Sequence, residues 1–312
     1  MRKVLVQTAH YAALLSGASA WRARRQGARR ILTLHGVGDG EMPLRHFEAL
    51  MRWLRRHASV IPLPAMVAAM RTGQAPSAPL EVALTLDDGL ANHYLIAYPL
   101  LYELGLSATM FVCPRLIDQG RWLWNHEVRA RWRHLEAGRR EPLARELGAS
   151  ACDADSVVAW MKGLRLQART DACERLRKGT PGFEPDPAES AAYDPLTWEQ
   201  VRSMDPSCIT IGSHSLSHPI LPLLDDEELE QELRDSRSEL ELRLGRKVPL
   251  LCYPNGSFNA RVRACAARHY DAAFSTQEAF VRVPVADYWS LPRIALSPDL
   301  ALSVWRLHSP QA

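Results

Sequence analysis

Short apolar runs alternate with helical patterns along most of this chain, and this alternation constrains the fold more than any other feature. A strand followed by a helix and another strand normally pairs in parallel with that second strand. The pattern therefore predicts a mostly parallel sheet whose strands are buried on both faces. The runs are RILTLHG (30–36), LEVALTLDDG (80–89), LSATMFVCP (106–114), CITIGSH (208–214), KVPLLCYPNG (247–256), DAAFST (271–276) and LPRIAL (291–296).

Segments with apolar residues at helical spacing lie between these runs. The segment 225–245 has acidic residues in its first turn and ends at Gly245, as helix electrostatics and capping prefer. Seven strands with helices between them suit an α/β barrel or a wound sheet. The helical segments are 45–58, 94–105, 225–245 and 260–270.

Residues 119–196 interrupt this rhythm. They are rich in arginine, glutamate and alanine, contain no strand-like run and end in the proline-rich GTPGFEPDPAES. We expect a helical insertion here, placed in one connection of the sheet. The predicted organisation is an N-terminal helix and basic segment over 1–29, followed by one α/β domain over 30–312 that this insertion interrupts.

The bulk composition is that of an ordinary globular protein, with 47% hydrophobic and 23% charged residues. A net charge of only +3 gives no electrostatic reason to expect a nucleic-acid partner. The cysteines form no CxxC pair, so neither a zinc knuckle nor a disulfide framework is indicated, and a reducing compartment is the simplest interpretation. They are Cys113, Cys152, Cys173, Cys208, Cys252 and Cys265.

The N-terminus, MRKVLVQTAHYAALLSGASAW, shares some features with a signal peptide. Its apolar stretch is interrupted by Gln7, Thr8, His10 and Tyr11, which favours an ordinary helix followed by the basic WRARRQGARR. The basic segment suggests peripheral contact with an anionic membrane. The expected location is the cytoplasm, with the inner membrane face or export as alternatives. No stretch of the sequence is long and apolar enough to span a bilayer.

Polar clusters occur where the predicted strands end. His35 follows the first strand, Asp87 and Asp88 follow the second, and His214 and His218 follow the fourth. Functional groups collect at the carboxyl ends of parallel strands because the loops that follow those strands converge there. We therefore expect these side chains to form one site.

The spacing of His214 and His218 allows both imidazoles to face one point. With one carboxylate added, the set suits a divalent metal in a hydrolase, zinc first and other first-row ions next. The second carboxylate of the Asp87–Asp88 pair is then free to take a proton from water. Each motif alone has an ordinary alternative, a turn or a core histidine, and the metal site is favoured only by their conjunction.

The sequence resembles the polysaccharide deacetylases (carbohydrate esterase family four, with a NodB-like domain). VALTLDDGLANHYLIAYPLLYELGLSATMFV is similar to the first family motif, which usually reads TFDDG, with Leu86 in place of the phenylalanine. IGSHSLSHPIL resembles the second, HxxxHP, and LLCYPNGSFN resembles the YPxG variant of the third. The resemblance covers residues 30–118 and 197–297.

This resemblance implies a distorted (β/α) barrel of about seven strands that hydrolyses N-acetyl, less often O-acetyl, groups on a glycan. Carried over position by position, Asp88, His214 and His218 would bind the metal, most simply zinc. Asp87 would be the general base. The backbone amide of Asn255 would help to hold the oxyanion.

Two departures from the family pattern concern charged groups. The third motif often carries an arginine before its prolines, where this chain has Cys252 and Tyr253. A late motif often supplies a histidine acid, and only His308 in WRLHSP is available, in a poor context. Some members use a histidine after the N-terminal strand, which LTLHGV resembles. We therefore expect His35 to protonate the leaving amine, with His308 as the alternative.

Substrate contacts are expected from the motifs and from tryptophans at the edges of the insertion. Aromatic faces stack on sugars, although Trp122, Trp124 and Trp198 could equally pack between helices. The expected contacts are Tyr253, Pro254, Trp124 and Arg293.

The function expected is metal-dependent removal of N-acetyl groups from a glycan or glycan precursor, in exopolysaccharide or cell-surface glycan synthesis. One alternative is a metal-dependent amide or ester hydrolase with a non-glycan substrate. Another is a non-catalytic carbohydrate-binding protein on the same scaffold. The presence of Asp88, His214 and His218 disfavours that last alternative.

Overall fold

The structure is a computed structural model that describes residues 2–38, 41–150 and 152–311. Its sheet has eight strands, paired in parallel in the order β7-β6-β5-β4-β3-β1-β8, with β2 added beside β3. The strands are β1 Arg30–Leu34, β2 Ser59–Val60, β3 Glu81–Leu86, β4 Ala108–Val112, β5 Ile209–Ser213, β6 Leu250–Cys252, β7 Ala272–Phe274 and β8 Ile294–Ala295. Each apolar run of the sequence contributes one strand, and β2 is the addition.

The sheet curls because one segment joins its two ends. Phe274 of β7 forms a parallel bridge with Leu291, and three residues later Ile294 pairs with Leu32 of β1. Ile31, Phe111 and Phe274 come from well-separated strands and share one apolar cluster, which fills the barrel interior. The predicted distorted barrel is confirmed.

Helices surround the sheet and pack on its outer face. The second apolar cluster, built on alternate strand residues such as Leu32 and Leu84, buries that face against them. The helices are α1 Arg2–Leu15, α2 Ala18–Arg25, α3 Leu44–His57, α4 Leu63–Arg71, α5 Tyr98–Glu103, α6 Pro114–Gln119, α7 Trp124–His134, α8 Ala137–Leu147, α9 Ala154–Lys162, α10 Leu166–Gly179, α11 Pro187–Tyr193, α12 Trp198–Ser203, α13 Asp226–Leu244, α14 Ala260–His269 and α15 Leu300–Arg306.

The insertion forms helices α7 to α11, between α6 and α12. It has an apolar core of its own, in which Trp132 is fully buried among residues such as Val157 and Leu176. Its end returns to the loop after β3, where Leu90 pairs with Pro195. The insertion therefore lies over the same end of the barrel as the polar strand ends.

The N-terminal helices pack on the last helix of the chain. His10 of α1 lies against Trp305 of α15, with ring centroids 4.7 Å apart. Leu15 and Trp21 are 85% and 57% exposed, and Arg25 of α2 lies over the Trp21 ring. In the described part of the chain, every helix is too short or too polar to cross a membrane. Peripheral membrane contact stays a prediction.

Candidate metal and active site

The polar strand ends converge on one cleft of about 290 Å³. The loops after β1, β3, β5 and β6 each contribute a side chain, because parallel strands end at the same edge of the barrel. The insertion covers the remaining side. The barrel residues that line the cleft include His35, Asp87, Asp88, His214, His218 and Asn255.

Asp88, His214 and His218 are buried and face one another. Asp88 Oδ1 lies 3.3 Å from His214 Nε2 and 3.6 Å from His218 Nε2. A tetrahedral zinc centre with bonds of about 2.0–2.1 Å places neighbouring donors roughly 3.3 Å apart. Two imidazole nitrogens and a carboxylate oxygen at this spacing fit a divalent first-row cation.

Hydrogen bonding and charge set the protonation of these donors. His214 Nδ1 lies 2.8 Å from the Cys252 carbonyl, so Nδ1 carries a proton and Nε2 is the nitrogen that would face a cation. Burial alone would lower the pKa of His214, but Cys252 and Asp88 raise it well above its ordinary value, so a cation would have to displace a proton from Nε2. Burial first, and then the neighbouring His214, lower the pKa of His218 to about 3, so its imidazole is neutral at physiological pH. Burial alone would raise the pKa of Asp88, but the adjacent imidazoles of His126 and His214 hold it well below its ordinary value.

Unusual backbone conformations concentrate at this site. In the described ranges, the non-glycine residues with positive φ are Asp88 (78°), Ser215 (65°), His218 (59°) and Asn255 (54°). Gly89 follows with φ 65°, and a Cβ there would lie 3.0 Å from the Val112 side chain. Such conformations cost free energy in ordinary loops and persist where the surrounding structure imposes them.

Glu232 of α13 holds the loop that carries the two histidines, and the motifs do not indicate it. Its carboxylate accepts hydrogen bonds from the backbone N–H groups of Leu216 and Ser217, both at 3.0 Å, and from the Ser217 hydroxyl at 2.6 Å. Burial raises the pKa of Glu232. Ser213 and Ser215 bond within the same loop, so these serines are structural.

Asp87 forms a buried bidentate ion pair with Arg293. Arg293 Nη1 donates to Asp87 Oδ1 at 2.7 Å, and Nη2 donates to Oδ2 at 2.6 Å. Arg293 also donates to Thr85 Oγ1 and the Ser275 carbonyl. Alternation along β3 places Thr85 and Asp87 on the inner face of the barrel. Burial alone would raise the pKa of Asp87, but the Arg293 charge outweighs it and holds the pKa below its ordinary value.

The expectation that Arg293 contacts substrate is wrong. Its side chain is 1% exposed, and its guanidinium is fully engaged with Asp87, Thr85 and Ser275. It supplies the positive charge that the third motif lacks at Cys252. The sequence does contain a signal for this pairing, because Arg293 stands inside the apolar run LPRIAL. A guanidinium buried in such a strand requires an anionic partner.

His35 and His308 lie in different parts of the molecule. His35 is 44% exposed, lines the cleft, and places Nε2 4.0 Å from Asp87 Oδ2 and Nδ1 3.7 Å from Glu41 Oε2. His308 lies among the terminal helices, 3.2 Å from the Ser19 hydroxyl, and does not line the cleft. The geometry therefore favours His35 as the acid.

The third motif forms a tight turn at the rim of the cleft. Asn255 lies in a 3₁₀ turn, Pro254–Gly256, and lines the cleft, whereas Pro254 is buried beneath it. The Tyr253 side chain is fully buried, stacks on Phe258 and donates its hydroxyl to the Trp289 carbonyl at 2.8 Å. The Tyr253 ring therefore belongs to the core, while the residue still borders the cleft, so a substrate contact there stays a prediction.

The tryptophans at the insertion edges pack between helices. Trp124 lies under the Arg169 guanidinium in the insertion, Trp122 donates to Asp194, and Trp198 donates to Asp118. None of the three lines the cleft, so the expected substrate contact of Trp124 is wrong. The insertion residues that do line it are Leu123, Asn125, His126, Arg129 and Tyr193.

The fold is an α/β barrel of the kind found in solved deacetylases. It matches the Streptococcus pyogenes deacetylase PplD, in complex with acetate, with a TM-score of 0.61 and 18% identity, covering 91% of this chain and 98% of that one. IcaB from Ammonifex degensii matches with a TM-score of 0.59 and 14% identity, over 90% and 97% of the two chains. At these identities the likeness establishes the fold.

Sequence comparison then gives the family. A sequence model of the polysaccharide deacetylases matches residues 75–270, and the chain belongs to that family. YxkH of Bacillus subtilis (strain 168), itself assigned to the polysaccharide deacetylases, is 29% identical over 120 residues, which cover 37% of this chain. The match spans 43% of the length of YxkH.

Proposed function

We propose that this protein removes N-acetyl groups from a glycan or sugar precursor with the help of a divalent cation held by Asp88, His214 and His218. One observation carries the proposal. Two imidazole nitrogens and a carboxylate oxygen stand at metal-ligand spacing, and a second, ionised carboxylate, Asp87, lies in the same cleft. A role in exopolysaccharide or cell-surface glycan synthesis is part of the proposal, supported by family membership.

The bound cation would polarise the acetyl carbonyl and make water more acidic. Asp87, kept ionised by Arg293, accepts the proton of the attacking water at a carboxylate oxygen. The backbone N–H of Asn255 donates to the oxygen of the former carbonyl as negative charge develops on it. His35 Nε2 donates a proton to the departing nitrogen, and acetate and a free amine are released.

Acetate release tests this function and its substrate class. We expect the protein to release acetate from N-acetylglucosamine oligomers after metal removal and return of Zn²⁺, and much less from small N-acetyl amides. A preference for the small amides would favour the non-glycan hydrolase. Absence of release from either substrate, together with retained binding of the oligomers, would support the carbohydrate-binding alternative.

The acid is tested by comparing His35→Ala with His308→Ala. Loss of a general acid typically lowers the rate about 10²–10⁴-fold, so we expect a fall of that order in kcat for His35→Ala. The His308→Ala protein should keep its activity, because that side chain lies outside the cleft. Steady-state acetate release measures both, and the opposite ranking would assign the proton to His308.

A further inference from the structure

His126 brings the insertion to the candidate metal ligands. It lies in the first turn of α7, its side chain is 14% exposed, and its Nε2 is 3.9 Å from Asp88 Oδ2. Its ring stacks on Tyr193 from the far end of the insertion, with centroids 4.4 Å apart and an interplanar angle of 27°. The two insertion ends thus converge beside Asp88.

The two oxygens of Asp88 face different partners. Oδ1 faces His214 and His218, whereas Oδ2 faces His126. The ligand atoms of Asp88, His214 and His218 all lie within 4.8 Å of one another, and His126 is not a member of that group. His126 therefore lies beside the candidate ligands. A movement of about 1 Å would bring its Nε2 within hydrogen-bond distance of Oδ2.

Backbone hydrogen bonds hold the insertion end on the loop that carries Asp88. The Leu196 N–H donates to the Gly89 carbonyl at 2.8 Å, and the Ala91 N–H donates to the Asp194 carbonyl at 2.7 Å. The Asn92 side-chain amide adds bonds to the carbonyls of residues 191 and 192, both at 3.2 Å. Tyr193, and with it the stacked His126 ring, therefore has a fixed place relative to Asp88.

We propose that His126 is a positioning residue of the metal centre, donating Nε2–H to the Asp88 oxygen that the cation does not use. The proposal rests on the metal site of the proposed function. Groups that orient a ligating side chain in this way typically change metal affinity by about 10–100-fold. The 119–196 insertion is then part of the metal centre as well as a wall of the cleft.

Zn²⁺ affinity of the metal-free protein, measured by competition with a chromophoric chelator, tests this role. We expect the Kd to rise about 10–100-fold in His126→Ala. His126→Gln should recover much of the loss, because the glutamine Nε2–H can reach a similar place. His134→Ala is the matched control: this histidine lies on the same helix but bonds Glu189 within the insertion. It should bind Zn²⁺ like the wild type.

Two outcomes would overturn the proposal. One is a His126→Ala affinity within about twofold of the wild type, and the other is an equal loss in His126→Ala and His134→Ala, which would indicate general loosening of the insertion. Circular dichroism of each variant checks its fold. His214→Ala separates this test from the proposed function: if it binds Zn²⁺ like the wild type, the metal site itself is wrong, whatever His126 does.

Discussion

Asp87→Asn is expected to lower kcat for acetate release by about 10²–10⁴-fold, the usual range for a lost general base. Zn²⁺ affinity should stay within about threefold of the wild type, because the Asp87 carboxylate pairs with Arg293 and is not one of the oxygens facing His214 and His218 at ligand spacing. Single-turnover acetate release and chelator competition measure the two quantities separately.

Asp88→Asn is the matched control for this prediction, since it changes the neighbouring residue in the same way. It removes the negative charge of the carboxylate whose Oδ1 faces His214 and His218, so Zn²⁺ affinity should fall together with activity. If Asp87→Asn kept full activity, or lost Zn²⁺ as strongly as Asp88→Asn, the division of roles between the two aspartates would be wrong.

Arg293→Met is expected to lower the free energy of unfolding by about 3–5 kcal/mol, the range for breaking a buried ion pair from one side. The substitution leaves the Asp87 carboxylate buried without its cation, while the methionine keeps much of the side-chain volume. Urea unfolding of the metal-free protein measures the change. Arg145→Met, which breaks an exposed pair with Glu141, should leave stability nearly unchanged.

A double substitution distinguishes the lost pair from lost packing. Asp87→Asn combined with Arg293→Met removes both charges, so the double variant should be less destabilised than the sum of the two single variants. Strict additivity would contradict the view that Arg293 acts mainly through Asp87.

Arg293→Met should also move the pH dependence of activity in a definite direction. In the wild type, Arg293 overcomes the effect of burial and holds the pKa of Asp87 below its ordinary value. The stability that the Asp87–Arg293 pair contributes is therefore present above the carboxyl pKa of the unfolded chain, about 3.9. It is lost as the pH falls through the pKa of Asp87 in the folded protein. Without the guanidinium, burial raises that pKa, so the acid limb of kcat/KM should shift to higher pH.

The apolar runs allowed a mostly parallel sheet to be predicted, because short apolar strands separated by helices leave few arrangements of the chain. The choice of a barrel over a wound sheet came from the resemblance to the polysaccharide deacetylases. The strand β2 was not predicted, because a strand of two residues shows no periodicity. The errors at Trp124 and Arg293 share a cause. Residue type and motif position say that a side chain is near the site, but not whether it points into the cleft or into the core.

The sequence alone determined that two aspartates, two histidines and a third motif stand at strand ends, because motif spacing is local and parallel strands end together. Only the tertiary structure brought Arg293 to Asp87, 206 residues away, and His126 to Asp88. It also placed His35 at the cleft and His308 among the terminal helices. These contacts depend on how the barrel closes and how the insertion folds back, and neither leaves a periodic signal in the chain.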